Sequence, residues 1–243
     1  MDVNKGLAAA VAYFWKVRHR QKRFQGKKSG RKDAGNRGAV TGGKHADGFV
    51  RLIADIVKEA GLPEACVYAR EKAARTLPGY FRPSKEWDLV VVSRGEIVAV
   101  VEVKSQVGSF GNNFNNRVEE ALGNATDFWT AYRQGIYKPS QRPWLGYLFM
   151  LEEHVKSLRP ARRVSLRHFP MDPAFQECSY ARRYELVCER LLRERLYDAT
   201  CFFTSSRKSG LRGEFHEPNS ELSIRKFAVS LHARAAAFAK LQT

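Results

Sequence analysis

An α/β domain is the fold this sequence predicts, and three observations predict it. Two β-branched runs, Leu89–Val92 and Ile97–Val103, are joined by Ser93-Arg94-Gly95-Glu96 and read as adjacent strands with a tight connection. A third run, Trp144–Leu151, is apolar enough for another core strand. Around these lie amphipathic stripes at helical spacing. The 243 residues fit one domain with a substantial core. We divide residues 1–243 into a basic N-terminal helix and arm (1–34), a core (35–155) and C-terminal helices and loops (156–243).

Charge narrows the partner. Forty-two Lys and Arg against 25 Asp and Glu leave a formal +17, with a pI near 10.0. Such a surface suits a polyanion, with nucleic acid ahead of an acidic membrane. No apolar run approaches the ~18–20 residues of a membrane span, and the N-terminal patch lacks a signal-peptide cleavage pattern. We expect a cytoplasmic protein with no membrane partner. Cys66, Cys178, Cys188 and Cys201 have no C-x-x-C spacing, and the six histidines are scattered, so neither a zinc site nor a Ser-His triad is supported.

In chain order, Leu7, Ala10, Val11, Phe14 and Trp15 mark a helical stripe over 3–17. Residues 18–32 then carry eight Lys and Arg, no acid, and glycines at 26 and 30. That composition predicts an arm without packed structure of its own when free, able to fold along DNA phosphates; a solvated tail is the alternative. Gly38–His45 follows the phosphate-cradling pattern G-x-x-x-x-G-K but lacks the final Ser or Thr and a preceding apolar strand, which argues against ATP binding. Its backbone and Lys44 remain candidates for gripping a DNA phosphate. Asp47 is placed to cap a helix over Gly48–Ala60, with Phe49, Leu52, Ile53, Ile56 and Val57 on one face. Val67–Arg70 suits a short strand. Thr76–Lys85 reads as a turn-rich approach in which Arg82 and Lys85 either touch phosphates or stay solvated.

The strand pair carries the chemistry. Asp88, Glu102 and Lys104 enter runs that suit strands buried on both faces, where an ion must be paired or hold a metal. Glu102 and Lys104, two apart, share a face. With a two-residue turn Asp88 would sit opposite Val101; a three-residue loop, Arg94-Gly95-Glu96, or an equivalent bulge sets it opposite Glu102. We predict the loop or the bulge. Two carboxylates and an ammonium would then converge, enough to bind Mg²⁺ through oxygen. Such a site hydrolyses phosphodiesters, with Lys104 orienting or helping to deprotonate the attacking water. A strand-end Glu-Lys pair is the structural alternative.

The spacing of Asp88 and Glu102-Val103-Lys104 resembles the PD-(D/E)XK nuclease motif. GNNFNNR (Gly111–Arg117), TLPGYFRPSKEWD (Thr76–Asp88), GAVTGGKHADGF (Gly38–Phe49) and PWLGYLFMLEE (Pro143–Glu153) further resemble the XhoI-type restriction endonucleases, in family order. The resemblance implies a mixed central β-sheet flanked by α-helices. It also implies a homodimeric, Mg²⁺-dependent type II enzyme cutting both strands of double-stranded DNA within CTCGAG, accompanied by a cognate methyltransferase. By the same resemblance Asp47 and, less strongly, Asp55 are candidate metal-facing acids on the first core helix.

Downstream, Asn116-x-x-Glu119 resembles a helix N-cap with its reaching carboxylate, and Val118, Ala121, Leu122, Ala125, Phe128, Trp129 and Tyr132 continue the stripe. Glu119 is a further candidate metal ligand, with capping as its alternative. Asn112, Asn113, Asn115, Asn116 and Arg117 are the candidates for reading bases, or else form a loop stitched by Asx-turns. Lys156–Arg167 reads as a basic surface loop. Tyr180–Leu192 and Leu222–Phe238 carry two more helical stripes, with loop at 205–220. A structure-specific nuclease of the same fold, or a DNA-binding protein without catalysis, are the competing functions.

Overall fold

The computed structural model describes residues 1–29, 45–162 and 164–241. At its centre is a five-stranded mixed sheet of order β1-β4-β5-β6-β7: β1 Val67–Tyr68, β4 Leu89–Ser93, β5 Glu96–Gln106, β6 Trp144–Glu152 and β7 Ala199–Ser205. The first two pairings are antiparallel and the last two parallel. A separate hairpin, β2 Thr76–Pro78 and β3 Ser84–Glu86, precedes β4. Among the described residues five long helices flank the sheet: α1 Val3–Ser29, α2 Asp47–Glu59, α3 Phe110–Arg133, α4 Tyr180–Arg193 and α5 Ile224–Lys240.

Alternation along the strands divides the core into two layers. Leu89, Val91, Val101 and Val103 pack with α1, α2 and α5. Val90, Val100, Tyr147 and Phe149 pack with α3 and α4 on the opposite face. β6 and most of β5 are buried on both faces, which accounts for their near-continuous apolar sequence. Each parallel step, β5 to β6 and β6 to β7, carries a covering helix, α3 and then α4.

Register was the deciding expectation, and a bulge supplies it. Ser93 pairs with Glu96 and Val92 with Ile97, so the connection is the two-residue turn Arg94-Gly95. Both turn residues have positive φ, 52° and 78°, as a type I′ hairpin requires. Between Val91 and Val92 the register shifts, leaving Val98 extra, and Leu89 then pairs with Val101. One step further, Asp88 falls opposite Glu102.

Several elements differ from expectation. Residues 18–29 continue α1 as helix, beyond the stripe expected over 3–17. Arg, Lys and Gln are good helix formers, and the packed turns ahead supply the nucleus that extension needs. Asp47 is the first residue of α2, not its cap; Ala46 occupies that position without a side-chain bond. α3 starts at Phe110, six residues before the expected cap at Asn116, so the asparagines are helical. Thr76–Lys85 contains a paired hairpin where turns were expected. β7, ATCFFTS, was not anticipated. Residues 30–44, including Lys44, lie outside the described residues. Among the described residues no helix is long and apolar enough to cross a membrane, and the four cysteines are free.

His45, buried at the start of α2, packs edge-on against Phe14 at 5.2 Å. Burial, then the nearby Arg18 guanidinium, push its imidazole down to about 4. The unfolded chain therefore takes up this proton first. The stability His45 contributes is complete above pH 6.5 and is lost as pH falls toward 4, by up to ~3 kcal/mol. A His45→Gln variant should lose less stability than the wild type between pH 6.5 and 4, measured by denaturant unfolding in metal-free buffer.

Candidate active site

The residues predicted to act together do meet, at the strand where antiparallel pairing gives way to parallel. Asp88 Oδ2 accepts a hydrogen bond from the Val103 amide at 2.7 Å, which ties the start of β4 to β5. Glu102 is 1% exposed, and both its oxygens meet cations. Lys104 Nζ pairs with Oε1, and Lys85 Nζ lies 2.8 Å from Oε2. Lys85, 12% exposed, also sits 4.4 Å over the Trp87 ring and donates to the Glu86 carbonyl. Oε2 itself has no aligned hydrogen bond. The parallel register sets Tyr147 beside Glu102 on β6.

The charges shape one another's protonation. Burial, then the Glu102 carboxylate, push Asp88 up to about 6, against the pull of Lys104, the Val103 amide and Lys85. Burial alone would raise Glu102, but Lys104 and Lys85 outweigh it and hold the carboxyl below its ordinary value. For Lys104 burial works downward, and the Glu102 and Asp88 carboxylates reverse it, keeping the ammonium protonated above its usual range. Between these two free carboxylates Lys104 is held as a cation, able to orient a water or an anionic oxygen.

α3 lies across this cluster. Asn124 Nδ2 approaches Glu102 Oε1 at 3.4 Å, and Asn124 Oδ1 accepts from Arg82 Nη2 at 2.8 Å. Arg82 Nε donates to Asp127 Oδ2 at 2.8 Å, while Asp127 Oδ1 accepts the Tyr80 and Phe81 amides, each at 2.8 Å. Glu120 adds its negative field to Lys104. Asn124 and Asp127, both buried, were not singled out from the sequence. The available signal was two polar residues on the apolar stripe that continues through Ala121, Ala125 and Phe128.

Other candidates are placed differently. Arg82 and Lys85, read as phosphate contacts or solvated charges, pair with the buried Asp127 and Glu102, Lys85 largely covered and Arg82 still partly exposed. Glu119 is exposed on the outer side of α3. Asp47 is exposed at the start of α2, whose apolar face packs on the opposite side of the sheet from Glu102, and Asp55 on the same helix pairs with Lys58 at 2.7 Å. Neither joins the cluster. Asn112, Asn115 and Asn116 are exposed on the first turns of α3, and Asn113 is half-buried. Arg117, half-buried, donates to Glu120 at 2.6 Å.

Oxygen donors from Asp88 and Glu102 suit a hard divalent cation. Both Glu102 oxygens face lysines here, so an ion would take the place of Lys85 at Oε2. Among the described residues no third His, Cys, Asp or Glu completes a closed cage. Water or a phosphate oxygen would have to fill the remaining positions, as is usual for Mg²⁺.

Comparison with known proteins identifies the family. Residues 25–217 match the family described as Restriction endonuclease XhoI. The chain is 47% identical over 221 residues to the type II restriction enzyme BstVI of Geobacillus stearothermophilus, covering 88% of this chain and 97% of that protein. It is 45% identical over 188 residues to the type II restriction enzyme XhoI of Xanthomonas vasicola, covering 75% and 72%. It is also 45% identical over 157 residues to the type II restriction enzyme AbrI of Azospirillum brasilense, covering 64% and 69%. No solved structure matches it. A match over most of the chain, together with near-full coverage of a relative at this identity, establishes that the chain belongs to the XhoI family of type II restriction endonucleases.

Proposed function

We propose that this chain cuts both strands of double-stranded DNA within the palindrome CTCGAG, as a Mg²⁺-dependent homodimer with one site per subunit and a cognate methyltransferase protecting the host. The observation that carries the reading is the meeting of Asp88, Glu102 and Lys104 at one place on the sheet, through the bulge between β4 and β5. That arrangement is the one a PD-(D/E)XK nuclease requires. A palindromic target calls for two-fold symmetry in the protein.

Asp88 and Glu102 would hold the metal, Glu102 through the oxygen that now faces Lys85. Bound Mg²⁺ supplies charge that offsets the phosphate and the developing negative oxygens. Lys104, whose ammonium pairs with Glu102 Oε1, would orient the attacking water and stabilise charge on the phosphate. Lys85 balances Glu102 before the metal arrives. Asn112, Asn115 and Asn116, exposed on the first turns of α3, are the candidates to read bases, since an asparagine amide can bond an adenine edge at two points. Lys44 and the basic residues of 18–32 would follow the phosphates without reading sequence.

Digestion of a sequenced plasmid with Mg²⁺, and separately with EDTA, mapping every end at nucleotide resolution, tests the whole reading. Discrete metal-dependent ends at CTCGAG on both strands are the expected result. Ends elsewhere would discard the target, and scattered ends at branched or damaged sites would favour a structure-specific nuclease. Asp88→Asn should lower cleavage by at least ~10³-fold while leaving DNA binding in EDTA intact, measured by single-turnover cleavage and by filter binding. Neutralising Arg20, Lys22, Arg23, Lys27 and Lys28 together should weaken binding about equally for specific and random duplexes and flatten the salt dependence. Loss of discrimination instead would make this segment a reader of sequence.

A further inference from the structure

We propose that Asn124 and Arg82 are positioning residues for Glu102, forming with Asp127 a relay that runs from the β2–β3 hairpin tip to the carboxylate. The inference rests on the nuclease reading above and assigns roles to side chains that reading does not use.

Donor and acceptor chemistry fixes the direction of each link. A guanidinium only donates, so the Asn124 atom facing Arg82 Nη2 at 2.8 Å is its oxygen. An ionised carboxylate only accepts, so the atom facing Glu102 Oε1 is the amide nitrogen. Arg82 therefore sets which way the amide points, and no flipped amide satisfies both neighbours. Arg82 is held in turn by Asp127 Oδ2, while the other Asp127 oxygen takes two backbone amides of the tip. A Cβ on Gly79 would lie 2.6 Å from Asp127 Oδ2 and 2.7 Å from the Arg82 carbonyl, so the tip closes tightly on its anchor.

Glu102 needs such a hold. Its two oxygens are drawn toward separate lysines, and release of Lys85 from Oε2 would leave the carboxylate anchored on one side only. The amide contact, long at 3.4 Å, adds orientation more than strength. Partners of this kind around metal ligands typically change metal affinity or activity by ~10–100-fold when removed. Asn124 and Asp127 lie one turn apart on α3, so the relay is set on a rigid element and not on a loop.

The test compares wild type, Asn124→Leu, Arg82→Lys and the double variant. Calorimetric titration of the DNA-free protein with Mg²⁺ and Mn²⁺ is read beside single-turnover cleavage and DNA affinity in EDTA. Asn124→Leu should weaken metal binding by ~10-fold or more, slow cleavage by a similar factor and recover in part at high metal concentration, with DNA affinity in EDTA unchanged. Arg82→Lys, which keeps the charge but not the fork, should act in the same direction. The double variant should be no worse than Asn124→Leu, because links in series are not additive. Unchanged metal affinity and cleavage in Asn124→Leu, or effects that multiply in the double variant, overturn the relay. If Asn124→Leu does not fold, Arg82→Lys against wild type decides by the same readouts. A wild-type protein that neither binds metal nor cuts overturns the nuclease reading and the relay with it; wild-type cleavage shared undiminished by the variants overturns the relay alone.

Discussion

A carboxylate inside the protein, Glu102, organises the surrounding structure because it cannot remain ionised there without partners. Lys104 comes from its own strand, Lys85 from the β2–β3 hairpin, and Asn124 from the helix that follows. Removing one partner of a buried pair typically costs ~3–5 kcal/mol, since the other charge is left uncompensated. The pairing therefore ties three separately formed elements into one geometry. A charge of this kind is a poor stabiliser compared with an apolar side chain of similar size, which is one reason to look for its purpose in chemistry.

β5 is where the sheet changes character. On one side it pairs antiparallel with β4, and a bulge adjusts the register so that Asp88 comes level with Glu102. On the other side it pairs in parallel with β6, which sets Tyr147 against Glu102 and Phe149 against Lys104. Glu102 and Lys104 approach α3 through Asn124 and Glu120, and the opposite face of the same strands is sealed by α1, α2 and α5. One layer thus supplies the apolar foundation, and the other carries the polar groups around the site.

Much of this was legible from residues alone. β-branched runs marked β4 and β5, and the aromatic and aliphatic run marked β6, because strands buried on both faces need continuous apolar sequence. The stripes of α2, α4 and α5 were readable for the same reason. β7 escaped notice because a seven-residue run with three polar side chains carries a weak signal. The start of α3 was misread because the asparagines of GNNFNNR favour caps and turns locally, and packing of Phe110 and Phe114 outweighs that preference. Arg82 and Lys85 looked like surface cations because nothing in their local sequence reveals which buried acids they approach.

What the sequence determined by itself was the kind of chemistry and the strands that bear it: charges in β-branched runs need a reason, and Asp88, Glu102 and Lys104 stand at a spacing that a hairpin can bring together. Tertiary structure decided which register the hairpin adopts, by a bulge that composition does not encode. It also decided that Asn124 and Asp127 join the site, since helical residues twenty or more positions away meet Glu102 and the hairpin tip only once α3 is laid across the sheet. Local spacing is written along the chain, whereas the partners of a buried charge are chosen by packing between elements.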